Sequence, residues 1–525
     1  MSLKIIVAIF LCSLFIVDGA KILAIFHFPS NSHFILGSTL LKALANRGHQ
    51  VTMLSPFLLN TPIKNYEQIE ITGMQQFKEE KIMKQTLELV NVSLVERMSK
   101  MTDLVDKINV NFFTSPSVKE LLTSNRTFDL VIQSWFGNEA YLAIPHHFGA
   151  ATIAFSTIGA SMLTNSITRN PAPYSYVPNV FGSFSDEMNF IQRVQNTLSS
   201  IGFDIVQATY MTTLEENYLQ KYFPNAPPID EMVKNISLVL LNSHYSIESP
   251  RPYVPNMIQI GGFHLEEPKA LQGDLKTFMD SAKEGVIYFS LGSNIRSSDL
   301  PADKLDGIIK CFSKLPTKVL WKFETDNVKN LPPNVNIGKW FPQKDILAHP
   351  NTKLFISHGG LLSTTEAVYL GVPIVGIPIF ADQESNIEDG VRKGYALKVS
   401  FQDLSEETLT NAIHEILKNP RYRDNIKQRS LILRDQPIRP IDNAVYWVEY
   451  VLRHNGAHHL KTSAVKLQWY EYLLLDVIAF LLGIVLITSY IIYYIIRLIL
   501  KGIRKVFKTT GTSKNVSKKK KSKLA

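Results

Sequence analysis

Short apolar runs the length of buried strands recur along this chain, and each stops at small or polar residues. Lys21 to Phe26 (KILAIF) predicts a strand, and His27 to His33 a loop holding Pro29, Ser30, Asn31 and Ser32. Phe34 to Arg47 carries apolar residues at helical spacing, Gly48 ends that helix, and Gln50 to Leu54 is the next strand. This strand–helix–strand opening is that of a Rossmann-like domain, and Phe128 to Trp135 (FDLVIQSW) predicts a further strand of it. A polar stretch from Gly261-Gly262 to Gly273 reads as a linker. A second set of strands follows at Val286 to Leu291, Lys318 to Phe323, Asn334 to Gly338 and Leu354 to Ile356. Helices are predicted over 361–370, 404–418 and 421–434, continuing to about Asn455.

The richest chemistry lies between Trp340 and Ile387. The run Leu354-Phe355-Ile356 stops at Ser357-His358-Gly359-Gly360 and opens a helix with Ser363, Thr364 and Thr365 near its start. A strand that ends in two glycines and opens a helix aims free backbone N–H groups at one spot, where the helix dipole adds partial positive charge. His358 and Ser363 add side-chain donors there, so the stretch reads as a diphosphate site. Val372 to Ile379 repeats the logic and ends in Phe380-Ala381-Asp382-Gln383. Val286 to Leu291 likewise ends in Gly292-Ser293-Asn294. In open α/β sheets, loops at the carboxyl ends of strands share one crevice. His33 stands at the corresponding edge of the first domain; alone, a histidine there is more often structural.

Composition bears mainly on the ends of the chain. With 525 residues, two large domains are the natural division. The formal charge of +9 suggests nucleic acid, but eleven Lys or Arg and no acid lie from Arg497 onward. The remainder has 44 basic and 46 acidic residues, a net of −2, so the basicity is a local tail and no nucleic-acid partner is expected. Met1 to Ala20 reads as a secretory leader, with Lys4, an apolar Ile5 to Val17 and a small-residue end at Asp18-Gly19-Ala20. Val477 to Ile496 is twenty uncharged residues, enough to cross a bilayer, flanked by Trp469, Tyr470, Tyr472, Tyr493 and Tyr494. The basic residues that follow put the tail on the cytoplasmic side, giving a type I, single-span arrangement with the body in the lumen. Of the two cysteines, Cys12 lies in the leader, so the mature chain cannot close an internal disulfide on Cys311. Asn91, Asn125 and Asn235 begin glycosylation sequons, as a lumenal surface permits.

The string WFPQ…HGG…TEA…ADQ, in order and spacing across nearly fifty residues, resembles the signature of the UDP-glycosyltransferases, membrane-bound enzymes that conjugate small lipophilic molecules with a sugar. The wording HGGLLSTTEA looks like that of insect members, which generally favour UDP-glucose. The resemblance implies the GT-B arrangement: two facing Rossmann-like domains, acceptor-binding over 21–265 and donor-binding over 274–455, then a membrane helix at 473–496 and a basic tail at 497–525. It implies that Trp340 stacks on uracil, Gln343 bonds the base and Glu366 accepts from the ribose hydroxyls. Ser293, His358, Gly360 and Ser363 would hold the diphosphate, and Asp382 and Gln383 the sugar hydroxyls. It places the catalytic histidine in the loop before a helix ending in Arg47-Gly48-His49, hence His33, with His27 too close to the strand to match.

Imidazole, with an ordinary pKa near 6.5, suits the removal of a proton from an acceptor hydroxyl. The resemblance implies direct inverting displacement, with the UDP-sugar as co-substrate and no cofactor. No metal-ligand cluster appears in the sequence, so helix ends and His358 rather than a bound cation are expected to meet the diphosphate charge. The chain departs from the family at Ser134, where many relatives carry an acid that supports the histidine; Glu139 and Asp129 are out of register. An alternative reading is therefore a binding protein for a nucleotide-sugar or lipophile, with little or no turnover; a third is transfer to a glycolipid or protein. Tyr174, Tyr176, Phe181 and Phe184 could line an acceptor pocket or pack ordinary loops. Lys521-Ser522-Lys523-Leu524-Ala525 resembles a signal for return to the endoplasmic reticulum. Acceptor identity and self-association stay open.

Overall fold

The structure is a computed structural model that describes residues 19–82, 92, 94–180, 182, 184–326 and 328–521. The leader up to 18, Asn91, Phe181 and the last four residues of the tail lie outside the described residues. Two units separate, one ending at Thr462 and the other beginning at Ser463.

The first unit is built on two parallel sheets. One runs β3-β2-β1-β4-β5-β6-β7, from β1 (Lys21–Ile25), β2 (Gln50–Ser55), β3 (Tyr66–Glu70), β4 (Leu130–Ser134), β5 (Ala151–Ser156), β6 (Ile236–Leu241) and β7 (Met257–Gln259). The other runs β10-β9-β8-β11-β12-β13, from β8 (Val286–Ser290), β9 (Lys318–Lys322), β10 (Val335–Gly338), β11 (Thr352–Ser357), β12 (Ile374–Gly376) and β13 (Ala396–Lys398). Covered on both faces, strands such as β6 (ISLVLL) and β8 (VIYFS) are buried at every position, which is why they read as unbroken apolar runs. Each fully buried large side chain, Trp321 and Phe155 among them, contributes roughly 1.5–3 kcal/mol.

Strand order reverses direction between β1 and β4 in the first sheet, and between β8 and β11 in the second. At such switch points the loops leaving adjacent strands diverge and leave a crevice. The elements that use these crevices are α1 (Asn31–Asn46), α3 (Leu361–Leu370) and α4 (Gln383–Arg392); α2 (Phe190–Val206) lies away from them in the chain, and α5 (Pro440–Arg453) closes the unit.

Two local differences from the sequence reading stand out. The helix expected from Phe34 begins at Asn31, so His33 sits in its first turn rather than in a loop. Helix α5, grouped by sequence with the second half, packs in the apolar cluster of the first sheet through Ala444, Val445, Val448 and Val451. Arg47 at the end of α1 forks onto Glu449 of α5 at 2.9 and 3.0 Å. The bridge is exposed on its Arg47 side and contributes at most about 1 kcal/mol, so apolar burial holds the crossover.

The second unit carries a short helix, Trp469–Tyr472, and a long one, Leu475–Lys521, of which Leu475–Thr509 is long and apolar enough to cross a membrane. The span read from sequence, 477–496, falls within it.

Candidate functional site

A cleft of about 400 Å³ opens where loops from both sheets face each other. Each of its walls is a switch point. Asn294, after β8, donates to the hydroxyl of Ser30, after β1, at 3.1 Å, joining the two rims.

On the second sheet's side, α3 begins at Gly360 with no side chain capping it, so its first backbone N–H groups are available to a ligand. His358 is wedged between two glycines. A Cβ at Gly292, whose φ is +80°, would lie 2.5 Å from the imidazole; one at Gly360 would lie 2.6 Å from it. Glycine at both positions is what lets the ring stand there. Burial, with Lys322 adding to it, holds the His358 pKa down at about 4, and its buried Nδ1 has no hydrogen-bond partner. A neutral ring with an unmet polar atom, beside free amides, is a site waiting for an acceptor-rich group.

Lys322, at the end of β9, also lines this wall. Its ammonium donates to the Gly292 carbonyl at 2.8 Å and pairs with Glu324 at 3.1 Å. Sequence reasoning missed it, because only the pairing of β9 with β8 brings that lysine beside the Gly292-Ser293 loop. Ser293 lines the same wall.

Trp340 is 67% exposed at the cleft rim, which excludes a core role. Gln343 donates to Ser363 at 3.0 Å and to Glu366 at 2.6 Å, so these three residues form one network. Burial pushes the Glu366 carboxyl up to about 7, with the Gln343 hydrogen bond opposing that shift. Asp382 accepts from Asn386 at 2.7 Å and its pKa is raised by burial. Gln383 is less free than its sequence position suggests: its side-chain oxygen accepts from the N–H groups of Ile379 and Phe380 at 2.9 and 3.1 Å. That bracing holds a loop in which Ala381 adopts φ +57°, and it leaves only the amide nitrogen of Gln383 for a ligand.

The first sheet's wall is different in kind. His33 stacks on Phe28 at 4.9 Å, with Phe136 edge-on, and Ile35, Met101 and Ile158 extend the apolar lining. Thr157 Oγ lies 3.1 Å from His33 Nε2, while Ser134 Oγ lies 3.5 Å from Nδ1, at the outer limit of a hydrogen bond. Thr157 lines the cleft; Ser134 is fully buried behind the ring. Burial pushes the His33 pKa down to about 3. Thr157 was not found from sequence; it reaches the imidazole because β5 lies beside β4.

Neither acid considered as a substitute reaches the ring. Asp129 accepts from the backbone N–H of Lys21 at 2.8 Å, at the opposite end of the sheet. Glu139 is occupied by Gln207 at 2.8 Å, and burial raises its pKa to about 7. His27, the other histidine of that loop, is 1% exposed and packs edge-on against Tyr141 in the core. Tyr174, Tyr176 and Phe184 do not line the cleft. Asn125 and Asn235 are exposed, as an attachment site requires.

Comparison with known proteins agrees with this geometry. The family described as UDP-glucoronosyl and UDP-glucosyl transferase matches residues 20–513. The chain is 38% identical over 480 residues to UDP-glucosyltransferase 2 of Dactylopius coccus, covering 91% of this chain and 93% of that one. It is 33% identical over 472 residues to UDP-glucuronosyltransferase 2C1 of Oryctolagus cuniculus, covering 86% and 93%. Among solved structures, the calicheamicin glycosyltransferase superposes with a TM-score of 0.56 at 16% identity, over 83% of this chain and 99% of that one, a likeness of fold. The two-sheet body is thus the GT-B architecture expected from the resemblance, and the chain belongs to the UDP-glucuronosyl and UDP-glucosyl transferase family of glycosyltransferases.

Proposed function

We propose that the enzyme transfers a hexose, glucose in the first instance, from a UDP-sugar to a hydroxyl of a small lipophilic acceptor. One observation carries this reading: a single cleft joins an uncapped helix start, set with His358 and Lys322, to an apolar chamber holding His33. The donor would lie on the second sheet, with uracil against Trp340, ribose at Glu366 and diphosphate over Ser293, Gly360 and the amides of α3. Asp382 and the amide of Gln383 would receive sugar hydroxyls. The acceptor would enter along Phe28 and Phe136. Its oxygen attacks the anomeric carbon as the bond to UDP breaks, inverting that centre, and its proton passes to His33 Nε2. Charge developing on the departing phosphate meets backbone N–H groups and Lys322. In this reading UDP-sugar is the co-substrate and the protein supplies the rest of the chemistry.

We place the body in the lumen of the endoplasmic reticulum, with domains near 21–265 and 274–439, α5 added to the first, and Leu475–Thr509 as a single type I span. Sequons at Asn91, Asn125 and Asn235 suit that side.

Turnover of radiolabelled UDP-glucose with a panel of phenols tests the proposal, alongside UDP-glucuronic acid. His33→Ala should cut transfer by about a hundredfold or more while leaving UDP binding intact; undiminished turnover would remove His33 as the base. The second reading, a nucleotide-sugar or lipophile binder without turnover, draws on the absence of a carboxylate beside His33 among the described residues. UDP binding with no transfer to any acceptor, in wild type and in Ser134→Asp, would favour it.

A further inference from the structure

Helix α2 is inside out. At 100° per residue, its exposed apolar side chains Phe190, Ile191, Val194, Leu198, Ile201 and Ile205 fall within an arc of about 100° that contains no other residue of the helix. Four of the six are more than half exposed, led by Phe190 and Leu198 at 67%. Its two buried positions are polar instead, with Phe203 only partly buried beside them. Asn196 is completely buried, accepting from the Asn179 N–H at 2.8 Å and donating to the carbonyls of Tyr174 and Val177 at 2.8 and 3.0 Å. Ser200, one turn on, is also buried, and an Asn189–Gln192 capping box fixes the helix start. The helix is therefore held to the protein by amide hydrogen bonds while its hydrophobic face is left open, the reverse of an ordinary surface helix.

We propose that α2 lies in the surface layer of a lipid bilayer, with this face sunk among the acyl chains and Asn196 turned toward the protein. Three observations select a bilayer as the occupant. The strip is continuous and uncharged, since the only ionic residues of the helix, Arg193 and Asp204, fall outside the arc. The chain carries a 35-residue helical segment whose most apolar 18-residue stretch has a mean hydropathy of 2.4, so a bilayer is always at hand. The strip is also small. Seventeen residues make a ridge ~26 Å long and ~10 Å wide, a few hundred Å², well short of the ~800 Å² per partner of a stable protein interface. A helix in the interfacial plane needs no such area, because its apolar face enters the lipid by ~5–10 Å.

Full-length protein reconstituted in phosphatidylcholine vesicles tests this. Cys311 is buried, so an environment-sensitive fluorophore can be directed to an introduced cysteine once Cys12 is absent or replaced. A label at Leu198→Cys should shift to the blue, and lipids bearing a nitroxide near the headgroup should quench it at least threefold more than a label at Lys418→Cys, which is exposed on the second lobe. Introducing Ile201→Glu and Ile205→Glu should abolish that excess quenching while UDP binding, read on the same samples, persists. Equal quenching at 198 and 418 would overturn the proposal. So would a disulfide-linked dimer through Leu198→Cys formed in place of lipid contact, which would assign the face to a second copy.

Discussion

The two switch points of this enzyme are built from the same topology and equipped very differently. Between β8 and β11, the sequence supplies glycines that admit an imidazole, a helix without a cap, a lysine on a neighbouring strand and an indole 67% exposed. Between β1 and β4, it supplies one histidine whose two nitrogens meet only hydroxyls, at 3.1 and 3.5 Å. The first crevice is pre-set to hold an anion before one arrives. In the proposed mechanism the second must create a charge, the imidazolium, with no carboxylate beside it among the described residues. Binding energy is, in that reading, concentrated on the donor, and proton transfer would fall to an imidazole whose pKa burial has pushed to about 3.

The comparison is broken most sharply by His33→Ala, which should cut kcat by roughly a hundred- to ten-thousand-fold, the usual contribution of a positioned base, with UDP affinity by calorimetry unchanged. The mirror-image experiment is Gly292→Ala. It forces a side chain into the His358 ring and asks alanine to adopt a left-handed φ of +80°. Those two costs, ~1–3 and ~1–2 kcal/mol, predict a loss of UDP affinity of roughly 30-fold or more if the loop yields rather than the fold. Gly360→Ala shares only the first cost, because its φ is an ordinary −60°, and should fall between Gly292→Ala and wild type. Ser134→Asp sharpens the comparison from the other side. A carboxylate behind Nδ1 would favour the imidazolium, raising the His33 pKa and increasing kcat by about tenfold. The pKa change is read by NMR titration of His33; no rise would mean that the ring cannot be supported from that position.

Much of the donor wall was legible in the sequence, because its parts are local. A parallel strand buried on both faces is an apolar run, its end is marked by glycine, and the helix after it starts where that run stops. Leu361–Leu370 came out residue for residue, and β8 and β9 each ran one residue long at their carboxyl ends. The base wall was less legible, because its partners come from different strands. Ser134 could be aligned with His33 by resemblance, but Thr157 depends on β5 pairing with β4, and Lys322 on β9 pairing with β8. Helix α5 was misassigned for a related reason: its stripe of Ala444, Val445, Val448 and Val451 says that one face is buried, not which sheet buries it. The start of α1 was missed because Ser30-Asn31-Ser32 reads as turn chemistry. Those residues do form a helix entry, with Ser30 as the N-terminal boundary residue, and the turn signal ended three residues sooner than expected.

The smallest expected effect concerns Glu366, which tests whether the donor wall is as pre-set as the geometry suggests. Its carboxyl sits at about 7 in the free protein, held up by burial, so near neutral pH a large fraction carries a proton. Two ribose hydroxyls donating to it would favour the anion, in which both oxygens accept. Binding should then lower its pKa, and linkage fixes the sign: UDP-glucose affinity rises with pH up to about 7 and levels off above, by at most about tenfold per unit. His358, at about 4, and His33, at about 3, are already neutral through that window and do not contribute. Asp382 also has a raised pKa, so the informative quantity is the difference between wild type and Glu366→Gln, which keeps the shape and removes the titration. If the two profiles run parallel, Glu366 does not receive the ribose as an anion. Its bond from Gln343 would then be the whole of its role, bracing the start of α3 rather than holding the nucleotide.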